Sequence, residues 1–277
     1  MKTILSIQSQ VAGALVGNSV AAFAIERLGV RVLALPTVLM GRRPDRGAPG
    51  GGAVEKEKLA ALFAALKDDG WLPKVDAVLS GYLGAEDHVE FVLDAVDSVK
   101  SANAAAFYVC DPVMGDEGHG LFVKEPLAQA IVEGLVRQAD WIAPNLFEFS
   151  RIAGRELKDL EDIRTAARRL GKPALVSSIP RDKGIGVLFA TPNGDWLAET
   201  PKLPNAPKGT GDLLTALFLA RRVKGETPPV ALGASAGAVH DIIVRSLARE
   251  SDHLALPEAQ DLLADPQTWP QAQSLGK

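Results

Sequence analysis

The chain has 277 residues, 47% hydrophobic and 23% charged, with a formal net charge of -4. Those proportions describe a globular protein with ample apolar surface for its own core. The slightly acidic balance argues against nucleic acid or an anionic membrane as partner, so any phosphate site must be built locally. The single cysteine, Cys110, cannot form an internal disulfide and closes the apolar run Phe107–Cys110, where a buried, inert thiol is expected. No leader-like N-terminus and no run of about eighteen apolar residues is seen, and the chain reads as cytoplasmic.

The short β-branched run Thr3–Ile7 predicts a buried strand. Gly17, Asn18 and Ser19 offer caps for a helix that Gly29 closes, and Arg31–Leu35 predicts a second strand. Residues 41–53, where Arg42, Arg43, Arg46, Pro44 and Pro49 sit among glycines, predict a loop or mobile flap. Helical patterns follow over 55–69, 86–102 and 125–137, separated by strand patterns over 75–79 and 106–110. A short strand ending at Ala143 leads to helices over 146–154 and 159–171, then to a strand over 174–177. Gly184–Phe189 and Trp196–Glu199 flank Pro192-Asn193-Gly194, a hairpin signal. Helices over 211–224 and 230–249 precede a tail near 250–277 expected to wrap the surface. Repeated β-α-β units with one late antiparallel hairpin imply a mostly parallel central sheet covered by helices on both faces, in one domain spanning 1–277.

Open sheets of this kind bind ligands beyond the carboxyl ends of their strands. That rule selects Ser9 and Gln10, Ser80–Gly84, Asp111–Gly120, Asn145–Glu148, Ser177 with Ser178, and the segment around Gly209. The sharpest of these is Lys208-Gly209-Thr210-Gly211-Asp212, which opens an apolar helix. Two glycines let the backbone approach a ligand closely, and the amides of a helix start favour an anion. Asp212 is expected to stay ionised at the positive helix end and to accept the proton of an alcohol. The alternative is helix capping by Thr210, with Asp212 serving the first turn.

Asp111, Asp116 and Glu117 place three carboxylates within seven residues, which suits a hard cation beside polyphosphate or, alternatively, a solvated acidic turn. Asn145 and Glu148 have capping-box spacing, and either that or a place in the crevice accounts for them. His88, His119, His240 and His253 show no metal-ligand spacing and read as surface or structural. No P-loop, no Gly-x-Gly-x-x-Gly after the first strand and no Gly-x-Ser-x-Gly elbow occurs.

Taken in order, Ile4–Ser9, Gly17–Ser19, Arg27–Gly29, Asp76–Gly84, Asp111–Gly115, Ala143–Asn145 with Glu148, and Gly209–Asp212 resemble the pyridoxal kinases of the ribokinase-like superfamily. The resemblance implies a ribokinase-like three-layer α/β/α sandwich and ATP-dependent phosphorylation of the 5′-hydroxymethyl group of pyridoxal or related B6 vitamers. It implies that Asp212 is the catalytic base, with Gly209, Thr210 and Gly211 as the anion hole. Ser9 and Tyr82, with Asp212, match substrate-binding positions; Asp111, Asn145, Glu148, Ser177 and Ser178 match positions around the nucleotide. Asp116 and Glu148 are implied to influence Mg²⁺, K⁺ is a further expected cation, and a homodimer is expected.

The sequence also departs from that family. An aromatic residue is missing before Gly17-Asn18, Gln10 stands where a histidine is usual, and the arginine-glycine stretch 41–53 replaces a polar flap that normally encloses the substrate. For its arginines, phosphate contact and mere solvation of a loop are both open readings. A hydroxymethylpyrimidine kinase of thiamine biosynthesis is the nearest alternative; there a cysteine often takes the place of Asp212, whereas the only cysteine here is Cys110. A non-catalytic vitamer-binding protein of the same fold is the alternative from another class.

Overall fold

The computed structural model describes residues 1–182 and 184–276. Its strands are β1 (Thr3–Val11), β2 (Arg31–Met40), β3 (Gly52–Ala53), β4 (Ala77–Ser80), β5 (Phe107–Cys110), β6 (Gly115–Asp116), β7 (Gly120–Leu121), β8 (Trp141–Ile142), β9 (Ala174–Arg181), β10 (Gly184–Thr191), β11 (Gly194–Thr200) and β12 (Gln273–Gly276). Its helices are α1 (Asn18–Arg27), α2 (Lys56–Asp68), α3 (Asp87–Ala102), α4 (Glu125–Ala130), α5 (Leu146–Ala153), α6 (Leu160–Leu170), α7 (Thr210–Val223), α8 (Pro228–Ala248) and α9 (Asp261–Ala264). A π-helical stretch, Ile131–Val136, continues α4, and Lys172 Nζ donates to the carbonyls of Val136, Arg137 and Ala139 at its end.

Ten strands form one sheet in the order β12-β11-β10-β9-β8-β5-β4-β1-β2-β3. The run from β9 through β8, β5, β4 and β1 to β2 is parallel, and antiparallel strands extend it at both ends. This is the expected sheet with its late hairpin. Successive residues of a strand point to opposite faces, so each central strand feeds two cores. Leu5, Ile7, Val78, Tyr108 and Val176 pack with α3, α5 and α6, whereas Ile4, Leu79, Val109 and Leu175 pack with α1, α7 and α8. In the second core Phe218 of α7 meets Trp141 edge-on at 5.6 Å and Phe189 at 4.8 Å. By length and composition alone α8 could cross a membrane, yet 61% of its most apolar window is buried inside the protein.

Four local features depart from the expectations above. β1 runs on to Val11, so Ser9 and Gln10 lie within the strand rather than beyond it. β2 likewise continues through Pro36, because Thr37 and Val38 together face Ser9 in a bulge that interrupts the ladder after the proline. The two residues of the hairpin turn are Pro192 and Asn193, not Asn193 and Gly194; Thr191 Oγ1 accepts from Asn193 N and donates to Gly194 O. The tail does wrap the surface, and it also adds β12 to the edge of β11, where Arg164 donates to Asp195 and to the carbonyl of Leu275.

On its way there the tail crosses α8 at two glycines. A Cβ on Gly237 would stand 1.8 Å from the carbonyl oxygen of Thr268, and one on Gly233 would stand 2.5 Å from that of Pro270. Asp241, one turn further along α8, accepts from the amides of Gln267 and Thr268 at 2.6 and 2.9 Å.

Candidate active site

The carboxyl ends of β5, β8 and β9 open into a crevice of about 380 Å³, closed by the starts of α5 and α7 and by one face of α8. Asp111, Asp116, Asn145, Glu148, Ser177, Ser178 and the whole of Lys208–Asp212 line it. Sequence reasoning thus gathered most of one wall.

Gly209 caps α7 in the left-handed region at φ 97°, and a Cβ there would meet the carbonyl oxygen of Leu15 at 2.3 Å. Only glycine fits that corner. Gly211 differs: its φ is not positive and nothing lies within 4 Å of where its Cβ would be. The fold itself does not demand glycine at 211, and its backbone there is open to close approach. The amides of Thr210, Gly211 and Asp212 form the first helical turn, and the first intrahelical bond runs from Leu213 N to Gly209 O. Those three amides donate to no protein group among the described residues. Thr210 makes no side-chain cap, which sets aside that half of the capping alternative.

Asp212 is the acidic residue of that first turn, and its Oδ2 accepts from the amide of Gly17 at 3.0 Å. Burial pushes its pKa up to about 6 against the pull of that amide. It remains mostly ionised at neutral pH.

Asp111 is buried and accepts from Thr215 Oγ1 at 2.8 Å. Burial first, then the charges of Glu148 and Asp212, hold its pKa well above the carboxylate range. Glu148 completes the capping box of α5 with Asn145, and both of its oxygens are engaged. Oε1 accepts from the amides of Met114 and Gly115 at 2.9 and 3.3 Å, and Oε2 from that of Asn145 at 2.9 Å. Burial raises its pKa to about 8 in spite of these donors. Glu148 therefore clamps the turn after β5 to the start of α5, and it reaches a cation only through that turn or through water. Asn145 Nδ2 donates to Gly115 O at 2.8 Å, in the same clamp.

Asp116 stands at the crevice mouth on the β6–β7 hairpin and accepts from Lys208 Nζ at 3.2 Å. The same ammonium lies 5.7 Å from the centre of the Phe122 ring. Ser177 and Ser178 occupy a bulge in β9 where two residues face Val187 alone, and Ser178 adopts φ 62°. A serine held in the left-handed region is sparsely populated backbone that the surrounding structure must enforce.

Ser9 and Tyr82 do not line this crevice; they lie towards β1 and β2. Gly17 packs so tightly on Ser9 that a Cβ would come within 2.2 Å of its hydroxyl, and the carbonyl of Tyr82 accepts from Thr37 Oγ1 at 2.6 Å. Burial raises the pKa of the Tyr82 hydroxyl. Gly17 touches both Ser9 and Asp212, which links the base of the crevice to β1.

The flap folds on itself. Arg43 pairs with Asp45 through two bonds of 2.9 and 2.7 Å, Arg42 donates to Ala48 O, and Arg46 reaches Asp252 at 2.5 Å. Each arginine thus has a protein partner, and no residue of 41–53 lines the crevice. Cys110 is buried, its pKa pushed up to about 12, and is inert as expected. His88 is structural, bonded to Gly84 N and Val54 O.

Sequence reasoning missed Gly17 as a donor to Asp212, Thr215 as the partner of Asp111, and His240, which lines the crevice from α8. Thr215 lies one helical turn after Asp212 and could have been found by that spacing. Nothing local marks the other two.

A sheet of this topology, with unpaired helix-start amides and a buried carboxylate at its carboxyl edge, has the architecture of a ribokinase-like phosphotransferase acting on an alcohol group. Comparisons with known proteins agree. The family model described as phosphomethylpyrimidine kinase matches residues 24–256. Pyridoxal kinase PdxY of Leifsonia xyli is 36% identical over 271 residues, 95% of this chain and 96% of that protein. The PdxY of Paraburkholderia xenovorans is 37% identical over 279 residues, covering 97% and 96%. The chain belongs to the pyridoxal kinase family. Among solved structures, pyridoxal kinase of Leishmania donovani in complex with ADP and pyridoxamine superposes with a TM-score of 0.93 at 27% identity, covering 99% of this chain and 100% of that one.

Proposed function

We propose that this chain is an ATP-dependent kinase that phosphorylates the 5′-hydroxymethyl group of pyridoxal or a related B6 vitamer. The observation that carries the reading is the start of α7, where amides with no protein acceptor stand beside the Asp212 carboxylate at the crevice. The relatives' names and the ADP-bound neighbour support ATP and a vitamer as the two substrates.

Asp212 accepts the hydroxymethyl proton as that oxygen bonds to the γ-phosphorus of ATP, and the bond from phosphorus to the β-phosphate oxygen breaks to release ADP. Throughout, the amides of Thr210, Gly211 and Asp212 face the charge on the migrating phosphoryl oxygens. Gly209, in its left-handed corner, sets their direction. Ser177 and Ser178, which line the crevice, would contact the nucleotide, and Ser9 with Tyr82, which lie outside it, the vitamer.

Asp111 crowds against Glu148 and Asp212, and such like-charge packing suits a cation. The described residues hold no cluster of three metal-ligating side chains, which fits a hard ion bound mostly by phosphate oxygens and water. Asp111 and Asp116 would hold Mg²⁺ there, and the ion would offset the charge of the triphosphate. Activation by K⁺, a homodimer and a cytoplasmic location complete the proposal; K⁺ against Na⁺ in the assay, sedimentation equilibrium and cell fractionation test them.

The decisive assay offers ATP and Mg²⁺ with pyridoxal, pyridoxine, pyridoxamine and hydroxymethylpyrimidine. The last is included because the matching family model is described as a phosphomethylpyrimidine kinase. Preference for it would establish that second reading, and binding without turnover of any of the four would establish a non-catalytic one. Asp212→Asn is expected to lower kcat by about 10²–10⁴-fold while vitamer binding survives. Wild-type turnover in that variant would refute the base assignment.

A further inference from the structure

We infer that His240 reads the nucleotide base, selecting adenine over guanine, and that the C-terminal tail holds it in position. The inference rests on the kinase reading only in that the crevice binds a nucleotide.

The two ends of the crevice differ in chemistry. The anion site and carboxylates occupy one end, at the starts of α5 and α7 and after β5. The other is formed where α8 packs on β10 and β11, and Ala236, Val239, His240 and Ile243 line it from α8, with Ile185 and Val187 opposite on β10. A triphosphate seated on the α7 amides leaves this apolar end for the base. His240 is the enclosed polar side chain there, only 13% exposed, whereas Lys202 on the same wall is exposed.

The imidazole is oriented from behind. Its Nδ1 lies 3.5 Å from Asp241 Oδ1 and 3.3 Å from Thr268 Oγ1. Asp241 is itself fixed by the tail amides of Gln267 and Thr268. A carboxylate oxygen only accepts, so in the neutral tautomer that suits Asp241 Nδ1 donates and Nε2 is the acceptor. Nε2 has no hydrogen-bond partner among the described residues. An acceptor at this place suits the 6-amino group of adenine and opposes the 6-carbonyl of guanine, two acceptors face to face. The tail thus acts on nucleotide choice through Asp241, a positioning residue.

The test is equilibrium binding of ATP and of GTP, each with Mg²⁺, by titration calorimetry. Wild type is expected to prefer ATP by about tenfold or more, the scale of one well-placed polar contact. In His240→Phe the ATP affinity should fall about tenfold and the preference should shrink towards unity. His240→Gln, whose amide oxygen can accept, should keep most of it. His240→Met, without an acceptor nitrogen, reads the same ratio should the Phe variant fail to fold. An ATP-to-GTP ratio unchanged in the folded Phe or Met variant, or absent in wild type, overturns the inference. Wild type that prefers ATP yet phosphorylates none of the four candidate rings overturns the proposed function and leaves this inference standing.

Discussion

Asp212 shows how two opposing effects settle at one atom pair. A helix start and the Gly17 amide favour its charge, but desolvation outweighs them and raises the pKa from 3.8 to about 6. A base must be ionised to work, so kcat/KM is expected to fall below about pH 6, approaching tenfold per unit, which a pH–rate profile would show. The same shift bears on stability. A folded pKa above the unfolded one means that the folded chain binds the proton more tightly between 3.8 and about 6. Stability from this group is therefore full below pH 3.8 and lost as pH rises through about 6. Asp212→Asn removes the strained charge and should stabilise the protein at pH 8 by about 1–2 kcal/mol, discounted for partial exposure. That corresponds to a rise in Tm of about 2–6 °C, and the gain should vanish near pH 4. Equal Tm values at pH 8 would show that the buried charge carries no strain.

Among the elements, glycines divide by what surrounds them. Gly237 faces a tail carbonyl that a Cβ would strike at 1.8 Å, so Gly237→Ala must displace the tail from α8. It is expected to lose about 1–3 kcal/mol in urea unfolding. Gly211 faces open space, so Gly211→Ala should leave stability within about 0.5 kcal/mol of wild type while weakening ATP turnover. The alternation of strands and helices was legible because its signal is periodic and local, and so were the cap pair Asn145 and Glu148 and the turn into α7. What escaped depends on distant partners. β1 extends to Val11 because Met40 pairs with it, β12 exists because the β11 edge accepts it, and Arg46 is explained by Asp252, 206 residues away. Of the four histidines, His240 alone is placed in the crevice, and no spacing rule could separate it from the others.

For the molecule as a whole, the two cores share every central strand. Leu5 and Ile7 face one core and Ile4 the other, as do Val78 against Leu79 and Val176 against Leu175. Neither layer of helices can leave without exposing the strands that support the other. One cooperative transition is expected, with fluorescence and far-ultraviolet dichroism giving coincident urea curves. Two separated transitions would show that the layers fold independently.

The contact between Gly17 and Asp212 joins positions 195 residues apart, and its donor belongs to the main chain. Short of proline, which lacks the N–H, no exchange of side chain can delete that donor; it can only be shifted by bending the polypeptide. The part of the carboxylate's proton affinity that this amide lowers is thus written into the route of the chain near its beginning. Changing that part would require reshaping the corner where the first strand turns into the first helix.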